Sequence, residues 1–209
     1  MEPKAAELVA VLTNGNLSID AKVTHILGLK SDIKQKNVPE GAVPPIFESL
    51  RLSIASPHYA LLAAGFSTLG HCLKRLFIQG QHDLVSMHAR VLYPHLIERL
   101  GDSKERIRAQ AAQAFTELWP ASNADVEECV LGAALKSKNP KSKQSAMIWL
   151  DTVSLLDFAF DHGLTLRKQM HHTHVILFRQ YVPDIVACLE NADSTVRDQA
   201  KTTILTLFE

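Results

Sequence analysis

Two stretches of this chain say nearly the same thing. LGDSKERIRAQA runs from Leu100 to Ala111, and LENADSTVRDQA runs from Leu189 to Ala200. Each opens on Leu, sets Arg eight residues later and closes on Gln-Ala. The frame extends upstream: Pro94, Leu96, Leu100, Arg108 and Ala111 keep the same spacing as Pro183, Ile185, Leu189, Arg197 and Ala200. A phrase repeated at this distance points to a repeat architecture, in which each unit buries its apolar face against the next.

A third copy, LKSKNPKSKQSA (Leu135–Ala146), keeps the Leu, a basic residue eight on (Lys143) and the closing Ala, without the Pro. A fourth starts at Pro44, with Ile46, then Leu50 as the anchor and His58 in the basic position. The anchors Leu50, Leu100, Leu135 and Leu189 recur at the length of a two-helix repeat, roughly 40 residues. Pro94 and Pro183 fall inside apparent helices, where each removes one hydrogen bond and is expected to kink the chain.

Between the phrases, apolar residues recur at i, i+3, i+4 and i+7, and alternation of period two is scarce. About ten helices are expected: Lys4–Thr13, Ser18–Lys36 with Ser18 as N-cap, a helix to Ile54 after a break over Pro39–Pro45, and a long helix from Pro57 to Ile78. They continue as Leu84–Leu100, Ser103–Leu118, Ala124–Leu135, Lys141–Phe160, His171–Leu189 and Ser194–Phe208. Short joins such as GDS, KSKNP and ENADS make antiparallel helix hairpins. In KSKNP, Asn139 is expected as N-cap and Pro140 as first helical residue. The longer join FDHGLTLRKQMHH (Phe160–His172) is expected to be irregular. The fold class that follows is all-α, a HEAT-repeat solenoid in a single domain spanning 1–209.

The chain carries 22 basic and 22 acidic residues in 209. With no net charge, a charged partner is read by a local patch and not by the field of the whole chain. Cys72, Cys129 and Cys188 are isolated, which excludes a C-x-x-C knuckle and favours a reducing compartment. The short, polar-flanked start is not expected to be a signal peptide. The final TTILTLFE lies inside an amphipathic pattern, as in a domain of a longer protein.

Signatures of catalysis are missing. The sequence holds no G-x-S-x-G, Walker sequence or H-E-x-x-H, and none of its ten histidines is followed by Glu. MHHTH (Met170–His174) gathers His171, His172 and His174, yet no acidic or Cys ligand near it completes a metal site. No enzyme activity, metal or cofactor is expected.

The basic residues carry more information. In a stack of helix pairs, loops separate in sequence line one edge, so their cations merge into one positive ridge. Lys104, Arg106 and Arg108 belong to one loop and the turn after it, Lys136, Lys138, Lys141 and Lys143 to the next, and Arg197 and Lys201 to the last. Such a ridge suits an acidic protein surface, or with less specificity nucleic acid. Arg108 and Arg197 also fit a structural role, bonding Asp102, Asp193 or backbone carbonyls one turn inside their helices.

LGDSKERIRAQAAQAFTELW, ALKSKNPKSKQSAMIWL and LENADSTVRDQAKTTILTLF resemble the third, fourth and fifth HEAT repeats of TOG domains, the tubulin-binding modules of microtubule regulators. KVTHILGLKSDIKQKNVPEGAVPPIFESLRLSIAS and AGFSTLGHCLKRL resemble the N-terminal TOG domain of CLASP proteins, fungal ones in particular. The resemblance covers nearly the whole chain and implies a paddle whose loop edge faces the tubulin heterodimer, in a protein that stabilises and rescues microtubules at the spindle. Carried over by position, the tubulin-facing residues are Lys104, Arg106, Lys138, Lys141, Lys143, Arg197 and Lys201. It implies tubulin or microtubules as partner, with kinetochore or spindle proteins besides, no nucleic acid, no membrane, and a place in the cytoplasm, on the cytoskeleton and spindle, with the nucleus and kinetochore as further places.

The first two loops depart from the family pattern. TNGNLSID (Thr13–Asp20) holds no aromatic where tubulin-binding TOG domains carry a large one. SIASPHYA (Ser53–Ala60) offers His58 where they carry a Val-Arg or Val-Lys contact. The alternative expectation is therefore a cryptic TOG domain that recruits another spindle partner.

Overall fold

In a computed structural model, which describes residues 1–160 and 178–208, every regular element among the described residues is helical. The first, α1 (Glu2–Thr13), buries Ala5, Leu8 and Leu12, one per turn. Then α2 (Ile19–Gln35) starts behind Ser18, whose Oγ accepts the Ala21 N–H at 3.2 Å, the expected cap. A tight turn over Glu40–Ala42 leads into α3 (Val43–Ala55), with Pro44 and Pro45 in its first turn, where a missing N–H costs nothing. The long α4 (Tyr59–Ile78) follows.

Helix α1 packs on α3, and α2 on α4. The α3–α4 contact is close because Gly65 has no side chain: a Cβ there would lie 2.8 Å from the Ser53 Cβ. The extended Lys36–Pro39 segment is held by one residue of α4's end. Gln79 accepts the Val38 N–H through Oε1 at 2.8 Å and donates through Nε2 to the Val38 carbonyl at 3.0 Å.

The helix expected over Leu84–Leu100 is two: α5 (His82–Ala89) and α6 (Tyr93–Leu100). Pro94 has no N–H to give the Arg90 carbonyl. The chain turns there instead, with Leu92 N–H bonded to Ala89 at 2.8 Å and Tyr93 N–H to Arg90 at 3.3 Å. Pro94 thus stands in the first turn of a new helix and kinks nothing. Pro183 does likewise in α10.

The chain's contacts gather into two compact units, Met1–Leu96 and Ile97–Glu209. In the second, α7 (Glu105–Leu118) leads through a turn at Trp119–Ala121 into α8 (Asn123–Glu127), which widens into a π-helical stretch over Glu128–Ala134. Then come α9 (Pro140–Phe160), a short turn at Phe178–Gln180, α10 (Val182–Cys188) and α11 (Ser194–Phe208). Helices α7, α9 and α11 stack in that order. Ala111, Ala146 and Ala200, the last residues of the three phrases, are fully buried and let these helices approach. Trp149 meets Trp119 edge to face at 6.4 Å, and Trp119 Nε1–H donates to the buried Glu127 at 2.9 Å. The irregular join expected from Phe160 to His172, and the MHHTH cluster, lie outside the described residues.

Candidate partner-binding edge

One small turn recurs at every hairpin loop. In the first unit, Asn14 Oδ1 accepts the Asn16 N–H at 2.8 Å, and Ser56 Oγ accepts the His58 N–H at 3.1 Å. In the second, Asp102 Oδ1 accepts from Lys104 at 2.9 Å, Ser137 Oγ from Asn139 at 3.1 Å and Asn191 Oδ1 from Asp193 at 3.0 Å. A short polar side chain bonding the backbone two residues on makes the turn without a left-handed residue.

The turns set the register of the repeats. The apolar anchor two residues ahead of each acceptor is Leu12, Ile54, Leu100, Leu135 or Leu189. The anchor of the second repeat is therefore Ile54 and not Leu50. Both are fully buried, one helical turn apart, so the apolar pattern alone fits either. With the correct anchor, His58 is the N-cap of α4, and Leu62 takes the basic position.

The structure divides the basic residues. Arg108 Nη1 donates to the carbonyls of Asp102 (3.0 Å) and Ser103 (3.1 Å), six and five residues upstream. Arg197 Nη1 donates to Asn191 (2.7 Å) and Ala192 (2.9 Å), again six and five upstream. Lys143 Nζ donates to the Leu135 carbonyl at 2.9 Å and is half-buried. These side chains turn into their own loops because loop carbonyls lie within reach one turn inside the following helix. Lys143 and Arg197, expected at the partner surface, thus donate to carbonyls of their own loops. Asp102 and Asp193 do not bond the arginines as carboxylates: Asp102 contacts Arg99 at 3.4 Å, and Asp193 accepts from Thr195.

Lys104, Arg106, Lys138, Lys141 and Lys201 are exposed. Lys201 pairs with Asp198 at 3.1 Å, within its own helix, and Lys136 with Asp184 at 3.6 Å. Lys104 is the N-cap of α7, a position held in the next two repeats by Asn139 and Asp193. Those two cap their helices, Asn139 Oδ1 accepting from Lys141 at 2.9 Å and Asp193 Oδ1 from Thr195 at 2.8 Å. Lys104 gives α7 no side-chain cap.

Asn139 does more than cap. Its Nδ2 donates to the Gly101 carbonyl at 3.0 Å, joining the third loop to the fourth. Ser145 Oγ, buried, donates to the Leu100 carbonyl at 2.9 Å beside it. A Cβ on Gly101 would lie 2.5 Å from Asn139 Nδ2 and from Ser142 Oγ. The two loops therefore form one plate carrying Lys104, Arg106, Lys138 and Lys141. Lys136 of the fourth loop reaches Asp184 of α10 at 3.6 Å, so this loop lies near α10. The Asn139 tie was missed in the sequence; its one signal there is an amide where the fifth repeat has a carboxylate.

Reactive groups are scarce. Burial pushes the Cys72 thiol up to about 12 and, with Asp125 and Glu128 adding to it, Cys129 up to about 11, so neither is a thiolate at neutral pH. Among the described residues no three His, Cys, Asp or Glu side chains group to hold a metal ion, and no helix is long and apolar enough to cross a membrane.

Helix pairs stacked in this way define a HEAT-repeat fold. The profile described as CLASP N terminal matches residues 1–209, and the chain belongs to that family. It is 61% identical over its whole length to protein stu1 of Aspergillus fumigatus, and 59% to protein stu1 of Aspergillus oryzae. In each case it spans 16% of the relative's length. Among solved structures it is similar to the MAST/Orbit N-terminal domain, with a TM-score of 0.71 at 17% identity, covering 97% of this chain and 82% of that one. It is also similar to the third TOG domain of Drosophila melanogaster Mini spindles, with a TM-score of 0.69 at 18% identity, covering 97% and 80%. A further likeness, at TM-score 0.72 and 20% identity over 97% and 71%, is to a chain solved for TOG–tubulin binding specificity. The fold is that of TOG domains.

Proposed function

We propose that this chain is a non-catalytic tubulin-binding module, and that its contacts are made by Lys104, Arg106, Lys138 and Lys141, with Lys201 at the end of the row. In the whole protein the module serves microtubule stabilisation and rescue at the spindle. The observation that carries the reading is the Asn139–Gly101 bond, which holds four exposed cations of two loops on one plate. A pre-organised row of charges recognises an acidic protein surface with little ordering cost. Family membership and the likeness to a chain studied for TOG–tubulin binding support tubulin as that surface.

The test is size-exclusion chromatography with unpolymerised tubulin. Co-elution at low salt, weakening as salt rises and abolished by reversing Lys104, Lys138 and Lys141 to Glu, is the expected result. No co-elution at low salt overturns the reading.

A second reading is favoured by the loop Asn14–Ser18, which presents no aromatic. A buried aromatic anchor often dominates an interface. On this reading the module recruits a spindle or kinetochore protein and leaves tubulin to another part of the protein. Unchanged localisation of the protein after deletion of this module overturns it.

A further inference from the structure

Several cations of the first unit are engaged by its own groups, and a few others gather in one place. Lys4 pairs with Asp32, Arg51 with Glu48, Lys22 donates to the Leu12 carbonyl, and Arg75 caps the end of α2 through the carbonyls of Ile33 and Lys34. The ammonium groups of Lys34 and Lys74 have no hydrogen bond or ion pair among the described residues, and that of Lys30 has only the hydroxyl of Ser67, at 2.9 Å. The Lys30–Ser67 and Arg75–Ile33 bonds run α2 and α4 side by side in the same direction. That register sets Lys30 and Lys34, one turn apart on α2, next to His71 and Lys74 of α4. Burial, then the charges of Lys30, Lys34 and Lys74, hold His71 below its ordinary value of 6.5. No carboxylate contributes to its environment; Asp32, the nearest acid on α2, is taken by Lys4.

We infer that this face of α2 and α4, with Lys30, Lys34, His71 and Lys74, is a docking surface for an acidic protein segment. It is not the loop edge: Lys34 lies about 20 Å along α2 from its start, at about 1.5 Å per residue, and the proposed tubulin contacts all belong to the other unit. Its layout selects the partner. The ammoniums sit on two helices whose axes lie about 8–10 Å apart, too spread for one phosphate and matched to carboxylates spaced along a peptide. A bound carboxylate favours the imidazolium of His71, so binding takes up a proton and tightens as pH falls.

The experiment is fluorescence anisotropy of a labelled octaglutamate peptide on the 209-residue chain at low salt. Binding is expected to weaken about tenfold in Lys34→Glu/Lys74→Glu and to survive Lys104→Glu/Lys138→Glu/Lys141→Glu. It is expected to be tighter at pH 6 than at pH 7.5, a difference lost in His71→Gln. Because Lys34 and Lys74 are exposed, the circular dichroism of their variants stays that of the parent, and Lys34→Gln/Lys74→Gln gives the same direction with less perturbation. The inference is overturned if octaglutamate binds no better than a Gly-Ser peptide, or if the α2–α4 variants bind it as the parent does. Tighter binding of a DNA duplex through the same lysines also overturns it. Failure of tubulin co-elution leaves it standing, since none of these lysines serves that reading.

Discussion

Arg108 and Arg197 make the same two hydrogen bonds in two repeats, each donating through Nη1 to the carbonyls six and five residues upstream. The guanidinium replaces what a glycine-rich turn would otherwise need: it neutralises two carbonyls that point into a tight loop. The repeat conserves a way of closing a hairpin, and the charge is a consequence.

Removing either arginine therefore acts on stability. Arg108→Ala and Arg197→Ala each lower the unfolding free energy by about 1.5–3 kcal/mol, the range for hydrogen bonds from a charged donor. Lys104→Ala leaves it within about 0.5 kcal/mol. Urea unfolding followed by circular dichroism checks both. An Arg108→Ala domain as stable as the parent but weaker toward tubulin would move Arg108 to the partner surface.

Lys104 stands where a cap belongs, at the positive end of the α7 dipole. Lys104→Asn supplies the missing acceptor, as Asn139 does one repeat on. It is expected to gain about 1 kcal/mol in stability while tubulin binding weakens. Thermal unfolding and tubulin co-elution, measured on the same sample, report the two effects with opposite signs.

Asn139 separates two roles in one side chain. Asn139→Asp keeps an acceptor for the Lys141 N–H and loses the donor to Gly101. Its carboxylate then faces a carbonyl, so the third and fourth loops part. Backbone amide exchange of residues 99–105 speeds up, and the loss of tubulin affinity on Lys104→Ala shrinks relative to the parent. Unchanged exchange in those loops would remove the tie from the account of the site.

Asp151 links α9 to α11, its Oδ2 accepting from Gln199 at 2.9 Å and Thr203 at 3.0 Å. Burial raises it to about 6, against the lowering pull of those two bonds. A carboxyl that holds its proton more tightly when folded favours the folded state while protonated. That contribution is full below the ordinary value of 3.8 and is lost as pH rises through about 6. Asp151→Asn keeps the oxygen acceptor without the charge. It is expected to raise the melting temperature at pH 7.5 and to flatten its dependence between pH 4 and 6.5, measured by thermal scans across that range.

The helices were legible because their determinants are local. Ser18 as a cap, Asn139 before Pro140, and Leu or Ile once per turn each act within a few residues of themselves. The second repeat's register was not, because Leu50 and Ile54 share a helix face and burial is the same at both. Only the Ser56–His58 turn tells them apart, through a hydrogen bond of 3.1 Å that no hydrophobic pattern encodes. Pro94 was visible as a break but ambiguous in kind, since a proline kinks a helix interior and starts a new helix equally well. The tight turns at Ala89–Leu92 and Arg90–Tyr93 decided it.

By itself the sequence determined a repeated helix hairpin, its caps, its small buried alanines and the set of cations near its loops. Tertiary structure alone decided what each cation does. Arg108, Arg197 and Lys143 find carbonyls within reach and turn inward. Lys104, Arg106, Lys138 and Lys141 stand outward on loops joined by Asn139. Lys30 and Lys34 of α2 meet His71 and Lys74 of α4, distant from them in sequence, because α2 stacks on α4. The physical reason is range: a cap or an apolar stripe is satisfied within one turn of helix, whereas a charge takes its role from whatever the packing brings within a few ångströms of it.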